Sequence, residues 1–275
     1  MALVINTNVS SLKAQSALSK SQSGLQKSFE RLSSGFRINS AADDAAGLAV
    51  SESLNSRVRS FAVAERNTNN AISMTQTAEG GLNEISGIVV RMRELAVQAA
   101  NGDLTSTDRG FLDTEFQALS SEIDRLAETT EFNGQELLAG TTTSITFQVG
   151  INTSSSDTIA VNFGGVSVSD LGLSGTSLSG ATATNATSAI TAIDSALSTV
   201  STQRATFGAA QNRLGIAANN SRTIRTNLSA ANSAIRDVDI AEETAQLARS
   251  QVLLQAGTSV LAQANQSPNT ALSLI

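Results

Sequence analysis

The chain has 275 residues, enough for a sizeable core, yet only 3% of them are aromatic, and Trp, His and Cys are absent, as is Tyr. Without His and Cys it lacks the commonest general base, every thiol nucleophile and the ligands of most zinc sites, which predicts no enzyme, no cofactor and no metal site. The net charge of −6 disfavours nucleic acid, and no apolar stretch approaches the roughly 18 residues of a membrane span.

The composition favours thin elements that pack along their length. Few aromatic residues leave little to fill a compact interior, whereas aliphatic side chains are easily buried between long helices. The single proline, Pro268, is also typical of long helices, whose interiors exclude it. We therefore predict a mainly α fold in which long coiled-coil-like helices from both termini pack as a rod, with a small β-hairpin region in the middle. A plain helical domain with a skewed composition is the alternative.

Residues 1 to about 140 are predicted to be helical, with breaks near Ser34-Gly35 and Asn101-Gly102. Two apolar series follow the 3.5-residue period of helices packed side by side. The first comprises Leu18, Leu25, Phe29 and Leu32, and the second comprises Leu112, Phe116, Leu119, Ile123 and Leu126.

The middle of the chain, about 141–187, is dominated by Ser, Thr, Gly and Ala. Apolar and polar residues alternate from Ile145 to Val149 and again from Ile159 to Phe163, which predicts a β-hairpin at about 144–163. Residues 164–187 are predicted to be a short linker, in which residues 166–173 could add a short strand. Residues 174–187 are predicted to be flexible because little there can be buried.

Residues from about 189 onward are predicted to be helical again, with a soft break near 235–239. Heptad spacing returns in two runs. One comprises Ile193, Val200, Phe207, Leu214, Leu228 and Ile235, and the other comprises Ile240, Leu247, Leu254 and Leu261. An ordinary antiparallel bundle would show the same stripes, so the pattern predicts long packed helices and leaves polymerisation open.

All lysines lie near the amino terminus, at Lys13, Lys20 and Lys27. Their spacing of seven predicts a basic stripe along one face of the first helix. Residues 1–40 carry an excess of basic side chains and residues 236–275 an excess of acidic ones. Opposite charges on the two terminal arms would favour their pairing, although a merely solvated face explains the stripe equally well.

Several longer segments point to one family. The chain opens with MALVINTN, and residues 30–49 read ERLSSGFRINSAADDAAGLA. Further segments are RMRELAVQAAN at 91–101, EFNG at 131–134, FQVG at 147–150 and QANQSPNTALSLI at 263–275. In this order they resemble bacterial flagellin, the filament subunit, over nearly the whole chain outside about 151–187. The chain resembles a short form with little or no outer variable domain.

The resemblance implies a structural subunit that polymerises into the flagellar filament used for swimming, with assembly driven by pairing of the terminal helices. Residues 1–44 with 236–275 would form an inner terminal coiled-coil domain, and 45–186 with 187–235 a rod domain that carries the hairpin. The heptad residues before 44 and after 236 would be the self-assembly arms, and those between would be the rod core. A hook–filament junction protein of the same architecture and a secreted coiled-coil adhesin are the alternatives.

The resemblance also implies a location and a set of partners. The protein would be extracellular, in the filament, exported by the flagellar type III apparatus without a cleaved signal peptide. Besides its own copies, it would meet a C-terminal export chaperone, the filament cap and the hook-junction proteins.

Two groups of residues resemble positions read by host immunity. Arg91, Leu95 and Glu115 match positions that stimulatory flagellins present to a Toll-like innate receptor. Leu272, Leu274 and Ile275 resemble the apolar tail read by cytosolic sensors. Subunit contacts in the rod, and packing in the channel wall, are the respective alternatives.

Overall fold

The computed structural model describes residues 7–141 and 144–272, with side chains described as far as Gln266 at the carboxyl end. Its five α-helices are α1 (Val9–Ser34), α2 (Ala45–Ala99), α3 (Ser106–Thr129), α4 (Thr184–Arg236) and α5 (Ile240–Leu272). Two antiparallel hairpins pair β1 (Glu131–Phe132) with β2 (Gln135–Glu136) and β3 (Ser144–Gln148) with β4 (Thr158–Asn162). The predicted mainly α fold with a small β region in the middle is confirmed.

The chain divides into two compact units. Residues 1–58 and 227–275 form the terminal unit, and residues 59–226 form the central unit. The domain boundaries expected from the resemblance, after residue 44 and before residue 236, fall where α2 begins and where α4 ends.

In the central unit, α2 is buried along one unbroken seam. From Phe61 to Ala99, buried positions follow one another alternately three and four residues apart. Large aliphatic side chains fill much of the second half of this seam, whereas alanine and threonine fill much of the first half. Thr75 is completely buried, and its hydroxyl donates to the carbonyl of Ala71 at 2.7 Å. Such back-bonding lets a polar residue occupy a core position without an unpaired donor.

Helices α3 and α4 complete this core. Phe116 and Ile123 of α3 are at most 1% exposed. Phe207 of α4 is fully buried, and its ring centroid lies 5.3 Å from that of Phe163, which follows β4. The helices thus bury aliphatic seams, and two phenylalanine rings meet where α4 passes the end of the hairpin.

The two hairpins differ in how visible they are in the sequence. In the longer one, Ile145 pairs with Val161 and Phe147 with Ile159, as the alternation predicted. The shorter hairpin was not predicted. Asn133 and Gly134, with φ of 54° and 75°, form its turn, and an Asn-Gly pair at positive φ is a strong local hairpin signal.

The segment between β4 and α4 differs from the sequence-based expectation. Val166, Leu173 and Leu178 are at most 2% exposed. Side chains of α3 hold the segment: Asp124 accepts from the amide of Val168 at 2.8 Å, and Asp113 from the amide of Leu178 at 2.7 Å. The burial of Leu178 contradicts the expectation that residues 174–187 have little to bury, and residues 166–173 form no strand. The apolar residues of this stretch have no regular spacing to reveal their burial.

Arg109 near the start of α3 is a buried cation that the sequence did not single out. It is 3% exposed, and its guanidinium donates to the carbonyls of Ala99 at 2.8 Å and Asn101 at 2.9 Å. A third bond, of 3.4 Å, reaches the carbonyl of Ala181. The side chain therefore joins the end of α2 to the residues that precede α4.

In the described part of the chain, no helix combines the length and the apolar character that a membrane span needs. Within the same residues, no group of three or more His, Cys, Asp or Glu side chains is placed to hold a metal ion.

Replacing Phe207 by alanine should lower the free energy of unfolding of the central unit by about 3–5 kcal/mol, because a fully buried ring leaves a cavity. Guanidinium unfolding followed by far-UV circular dichroism measures the change. The matched control is Ile216→Ala on the same helix, whose side chain is 71% exposed. We expect the control to stay within about 0.5 kcal/mol of the parent; equal losses would contradict this core.

Candidate self-assembly interface

Helices α1 and α5, from opposite ends of the chain, pack antiparallel in the terminal unit. The Asn8 side-chain amide donates to the carbonyl of Ala264 at 2.8 Å, and the Ser11 hydroxyl donates to Asn265 Oδ1 at 2.7 Å. At the other end of α1, Arg31 pairs with Glu243 at 3.4 Å. The start of α1 therefore meets the last third of α5, and the end of α1 meets the start of α5.

The seam of this pair alternates leucine with small residues. A Cβ added at Gly257 would lie 2.9 Å from Leu18 Cδ1, so Leu18 packs against the bare backbone of α5. Farther along, Ser250, which is 6% exposed, faces Gly24, where an added Cβ would lie 3.7 Å from Ser250 Oγ. In a helix pair, small residues opposite leucines allow the two backbones to approach closely, because the interaxial distance depends on the side chains at the contact.

Other faces of the same two helices expose apolar side chains. Among the side chains that the structure describes, those more than half exposed are Val9, Leu12 and Phe29 on α1, and Ile240, Val252, Leu253 and Val260 on α5. Apolar side chains exposed singly are ordinary on a protein surface, and Phe111 and Ile216 of the central unit are exposed as well. Those on α1 and α5 become buried only where another molecule covers them.

A short corner built from both arms closes the pair. The Arg37 amide donates to the carbonyl of Arg236 at 2.6 Å, and the Val238 amide donates to that of Gly35 at 3.1 Å. The Arg236 guanidinium carbon lies 4.6 Å from the centre of the Phe36 ring. Two backbone hydrogen bonds and a cation–π contact thus join the residues that follow α1 to the end of α4 and the residues just after it.

Asp43 organises the segment between α1 and α2. Its carboxylate pairs with Lys27 Nζ at 2.6 Å and accepts from the amides of Ser40 at 3.2 Å and Asn39 at 3.3 Å. The hydrogen bond from Lys27, followed by that from the Ser40 amide, lowers the pKa of Asp43 to about 2. Asp44 then caps α2, since its carboxylate accepts from the Gly47 amide at 2.8 Å.

Comparison with known proteins decides the family. Residues 5–143 match the bacterial flagellin N-terminal helical region, and residues 190–275 match the bacterial flagellin C-terminal helical region. Over 273 residues the chain is 43% identical to a flagellin of Halalkalibacterium halodurans, with 99% of this chain and 100% of the relative covered. The chain belongs to the bacterial flagellin family.

Further relatives include another flagellin sequence and two solved structures. Flagellin B of Vibrio cholerae is 35% identical over an alignment of 377 positions that covers both chains completely. Bacillus cereus flagellin, a solved structure, has 37% identity and a TM-score of 0.50, with 61% of this chain and 94% of that chain covered. A putative flagellar hook-associated protein of Vibrio parahaemolyticus, at 17% identity and a TM-score of 0.60, covers 70% of this chain and 99% of its own and shares the fold. At 275 residues, this chain is a short flagellin.

Family membership confirms the identification made from the terminal motifs. It also confirms the predicted function, a structural subunit of the flagellar filament, and places the chain among structural proteins. Full-length identity to flagellins favours this function over a hook–filament junction protein or a secreted adhesin.

The residues predicted as self-assembly arms of this flagellin occupy two kinds of position. Those half-buried in the terminal unit are Leu18, Leu25, Leu32, Leu247, Leu254 and Leu261. Phe29 and Ile240 are instead 53% and 66% exposed, away from the seam. The first group therefore serves the pair itself, and the second group is free for contacts outside it.

The residues predicted as rod core also divide. Those fully or almost fully buried in the central unit are Phe116, Ile123, Ile193, Val200, Phe207 and Leu214. Those half-buried at the edge of the same core are Leu112, Leu119 and Leu126. Leu228 and Ile235 are half-buried and lie in the terminal unit.

The residues that resemble immune-recognition positions are unequally accessible. Arg91 pairs with Glu115 at 2.9 Å and with Glu94 at 2.9 Å, and all three side chains are largely exposed. These carboxylates raise the pKa of Arg91, Glu94 contributing most. Leu95 is 1% exposed, so a partner could touch Arg91 and Glu115 but not Leu95. Leu274 and Ile275 lie outside the described residues, and the side chain of Leu272 is not described; the recognition of these three stays a prediction.

The small members of the α1–α5 seam were missed by the sequence analysis. Ser28, Ser250 and Gly257 are polar or lack a side chain, so none of them by itself predicts a buried position. The signal was present as spacing, because Glu243, Ser250, Gly257 and Ala264 recur at sevens between the leucines of α5. A search restricted to apolar residues cannot detect such a series.

Substituting alanine for either of two seam glycines should separate the effect of the close approach from that of helix propensity. Each change gains about 0.5–1 kcal/mol from propensity. At Gly24 the new Cβ meets only Ser250 Oγ at 3.7 Å, an ordinary contact, whereas at Gly257 it displaces the Leu18 methyl. We expect Gly24→Ala to raise the thermal midpoint of the assembled protein and Gly257→Ala to raise it less or lower it. Equal gains, measured by far-UV circular dichroism, would contradict the packing of Leu18 on Gly257.

Proposed function

We propose that this flagellin polymerises through its paired terminal helices. The observation that carries the proposal is the α1–α5 pair, which buries a heptad seam and, among the side chains that the structure describes, leaves seven large apolar ones more than half exposed. Residues 1–44 with 236–275 would form the inner coiled-coil domain that lines the filament channel. Residues 45–186 with 187–235 would form the rod domain.

The seam chemistry supports coupling of folding to assembly. Seam positions held by serine, glycine and alanine bury little apolar area, and an unpaired arm gains too little to offset the entropy of ordering it. Contacts with neighbouring copies would supply the missing burial at Phe29, Ile240 and the other exposed positions. Because a different patch on each copy would be engaged head to tail, the assembly would be an open helical tube.

The remaining partners follow from the same proposal. An unpaired α5 would present Leu247, Leu254 and Leu261 in the cytoplasm, which suits capture by a C-terminal export chaperone. Export would use the flagellar type III apparatus without a cleaved signal peptide, and the chain would meet the filament cap and hook-junction proteins outside the cell.

The first test compares the full chain with residues 45–235 alone. Short filament seeds are added to each purified protein, and negative-stain electron microscopy records the product. We expect long tubes of uniform diameter from the full chain and none from the truncated one, because the latter lacks both α1 and α5. Far-UV circular dichroism of the truncated protein verifies that it remains helical.

A full-length variant tests the same α1–α5 seam without the large change that truncation makes. Leu247→Ser with Leu254→Ser keeps the length and the charge but weakens the seam, and should reduce the sedimentable polymer several-fold. Matched substitutions at Thr244 and Gln251, which are exposed on α5, should have a smaller effect. A full chain that stays monomeric under every seeding condition would overturn the proposal.

Recognition by a Toll-like innate receptor is proposed for the exposed pair Arg91 and Glu115. Binding of the purified monomer to the receptor ectodomain should weaken on Arg91→Ala and on Glu115→Ala, because each removes one partner of a surface ion pair that a receptor could engage. Arg125→Ala is the matched control, since Arg125 is equally exposed and pairs with Glu122 on the same helix as Glu115. Equal losses from all three variants would contradict a specific site.

A further inference from the structure

Two exposed lysines of α1 have no acidic partner within their own copy. Lys13 and Lys20 lie on one face of α1, here named the basic face, and neither takes part in an ion pair among the described residues. The antiparallel packing places residues 250–264 of α5 beside residues 8–24 of α1, and this stretch of α5 contains no charged side chain. The expected attraction between oppositely charged arms is therefore not made by these two lysines within one copy.

The acidic side chains of the terminal unit all belong to its corner end. They lie within residues 30–52 and 237–243. Lys20 precedes Arg31, which pairs with Glu243 at this end, by about 16 Å along α1, and Lys13 precedes it by about 27 Å. A lysine side chain cannot span either distance. The terminal unit is therefore polarised, with free cations toward one end and the carboxylates at the other.

A cavity at the corner contains two carboxylates that have no cation. Its volume is about 530 Å³, and residues of α1, the corner, the end of α4 and the start of α5 line it. Of its cations, Arg31 pairs with Glu243, and Arg37 donates to backbone carbonyls at the end of α4. The carboxylates of Asp237 and Glu242, here named the acidic corner, are exposed and have no ion pair or hydrogen bond among the described residues.

We propose that the basic face of one copy docks on the acidic corner of a second copy. The ammonium groups of Lys13 and Lys20 then face the carboxylates of Asp237 and Glu242. The inference rests on the proposed polymerisation and names one contact by which the copies bind each other. The two patches carry opposite charges, and neither patch is neutralised inside its own copy. Complementary charges of this kind steer two surfaces together and fix their register.

The positions of the two patches determine how the copies are arranged. Lys27, the third lysine of the stripe, is already paired with Asp43 of its own copy, so the free basic face ends before the corner. A second copy must be displaced along α1 before its acidic corner meets Lys13 and Lys20. Each copy then offers its basic face to one neighbour and its acidic corner to another. Such a head-to-tail contact between different patches builds an open assembly when its rotation does not close a ring.

The first experiment reverses one charge at a time in the full-length chain. Lys20→Glu places a carboxylate against the acidic corner of the neighbouring copy and should slow the growth of filament seeds by about tenfold at low salt. Arg249→Glu is the matched control, because Arg249 is also exposed and has no ion pair among the described residues, but lies on α5. Both variants change the net charge equally. Sedimentation of polymer at successive times measures the growth.

Salt separates an electrostatic effect from a packing effect in the same measurement. The difference in growth between the parent and Lys20→Glu should shrink between about 0.1 M and about 1 M salt, because screening weakens interactions between exposed charges. Equal slowing by Lys20→Glu and Arg249→Glu, or a difference that salt leaves unchanged, would overturn the docking proposal.

A second experiment mixes two full-length variants to show that the two patches meet each other. The basic-face variant carries Lys13→Glu and Lys20→Glu, and the acidic-corner variant carries Asp237→Lys and Glu242→Lys. Each variant alone presents like charges to its own copies and should form several-fold less sedimentable polymer than the parent. An equimolar mixture should recover the polymer, because each patch then finds an opposite charge on the other variant. A mixture that polymerises no better than its components contradicts the docking.

The outcomes distinguish this inference from the proposed function. If the parent polymerises but the mixture shows no recovery, the docking is wrong and polymerisation through the terminal helices stands. If the parent forms no polymer under any seeding condition, the proposed function fails and the docking fails with it. Far-UV circular dichroism verifies that each variant keeps its helices. If the acidic-corner variant loses them, the comparison of Lys20→Glu with Arg249→Glu decides.

Discussion

The pairing of α1 with α5 is the interaction on which the terminal unit, and with it the proposed assembly, depends. The two helices are separated in the chain by about 200 residues, so bringing them together carries a closure cost that no local contact offsets. The seam that offsets it is narrow, with Leu18 against the bare backbone of Gly257 in place of leucine against leucine. The backbone bonds between Gly35 and Val238 and between Arg37 and Arg236 add a fixed point at one end. A pair of this kind is specific in register but modest in buried apolar area, which suits an element that gains further burial from its neighbours.

The central unit also has small residues along its helix seams, and here they help to enclose a core. Its three helices bury a core that extends from Ala71 on α2 to Leu214 on α4, and the hairpins and the residues before α4 cover part of it. Alanine and threonine at many seam positions explain how a chain with so few aromatic residues still packs densely. Arg109 and the α3 carboxylates Asp113 and Asp124 then fasten irregular backbone to regular helix. This unit contains its own core, although it too exposes single apolar side chains such as Phe111 and Ile216.

Ion pairs connect neighbouring helices of this protein. Exposed pairs such as Arg93 with Asp194 contribute little stability individually, but they hold neighbouring helices in register without any group that titrates near neutrality. Among the described residues, lysine takes part in a single ion pair, which lies at the corner between α1 and α2, next to the Asp44 cap. The Asp44 cap, the Lys27–Asp43 ion pair and the backbone bonds to the end of α4 therefore all lie in or beside the segment between α1 and α2.

The sequence by itself determined the family, the helical class, the helix breaks near Gly35 and residue 235, and the β3–β4 hairpin. Each of these can be recognised from local residue spacing or from long sequence motifs, because heptads and alternation depend only on neighbours along the chain. It also identified Phe116, Phe207 and Leu214 as buried, since large apolar residues at sevens leave little choice. What only the tertiary structure decided is where small and polar residues go. The burial of Thr75, Ser250 and Arg109, the contact of Gly257 with Leu18, and the ordering of the stretch before α4 all depend on partners distant in sequence. Such residues become part of a core only when another helix comes close enough to satisfy them.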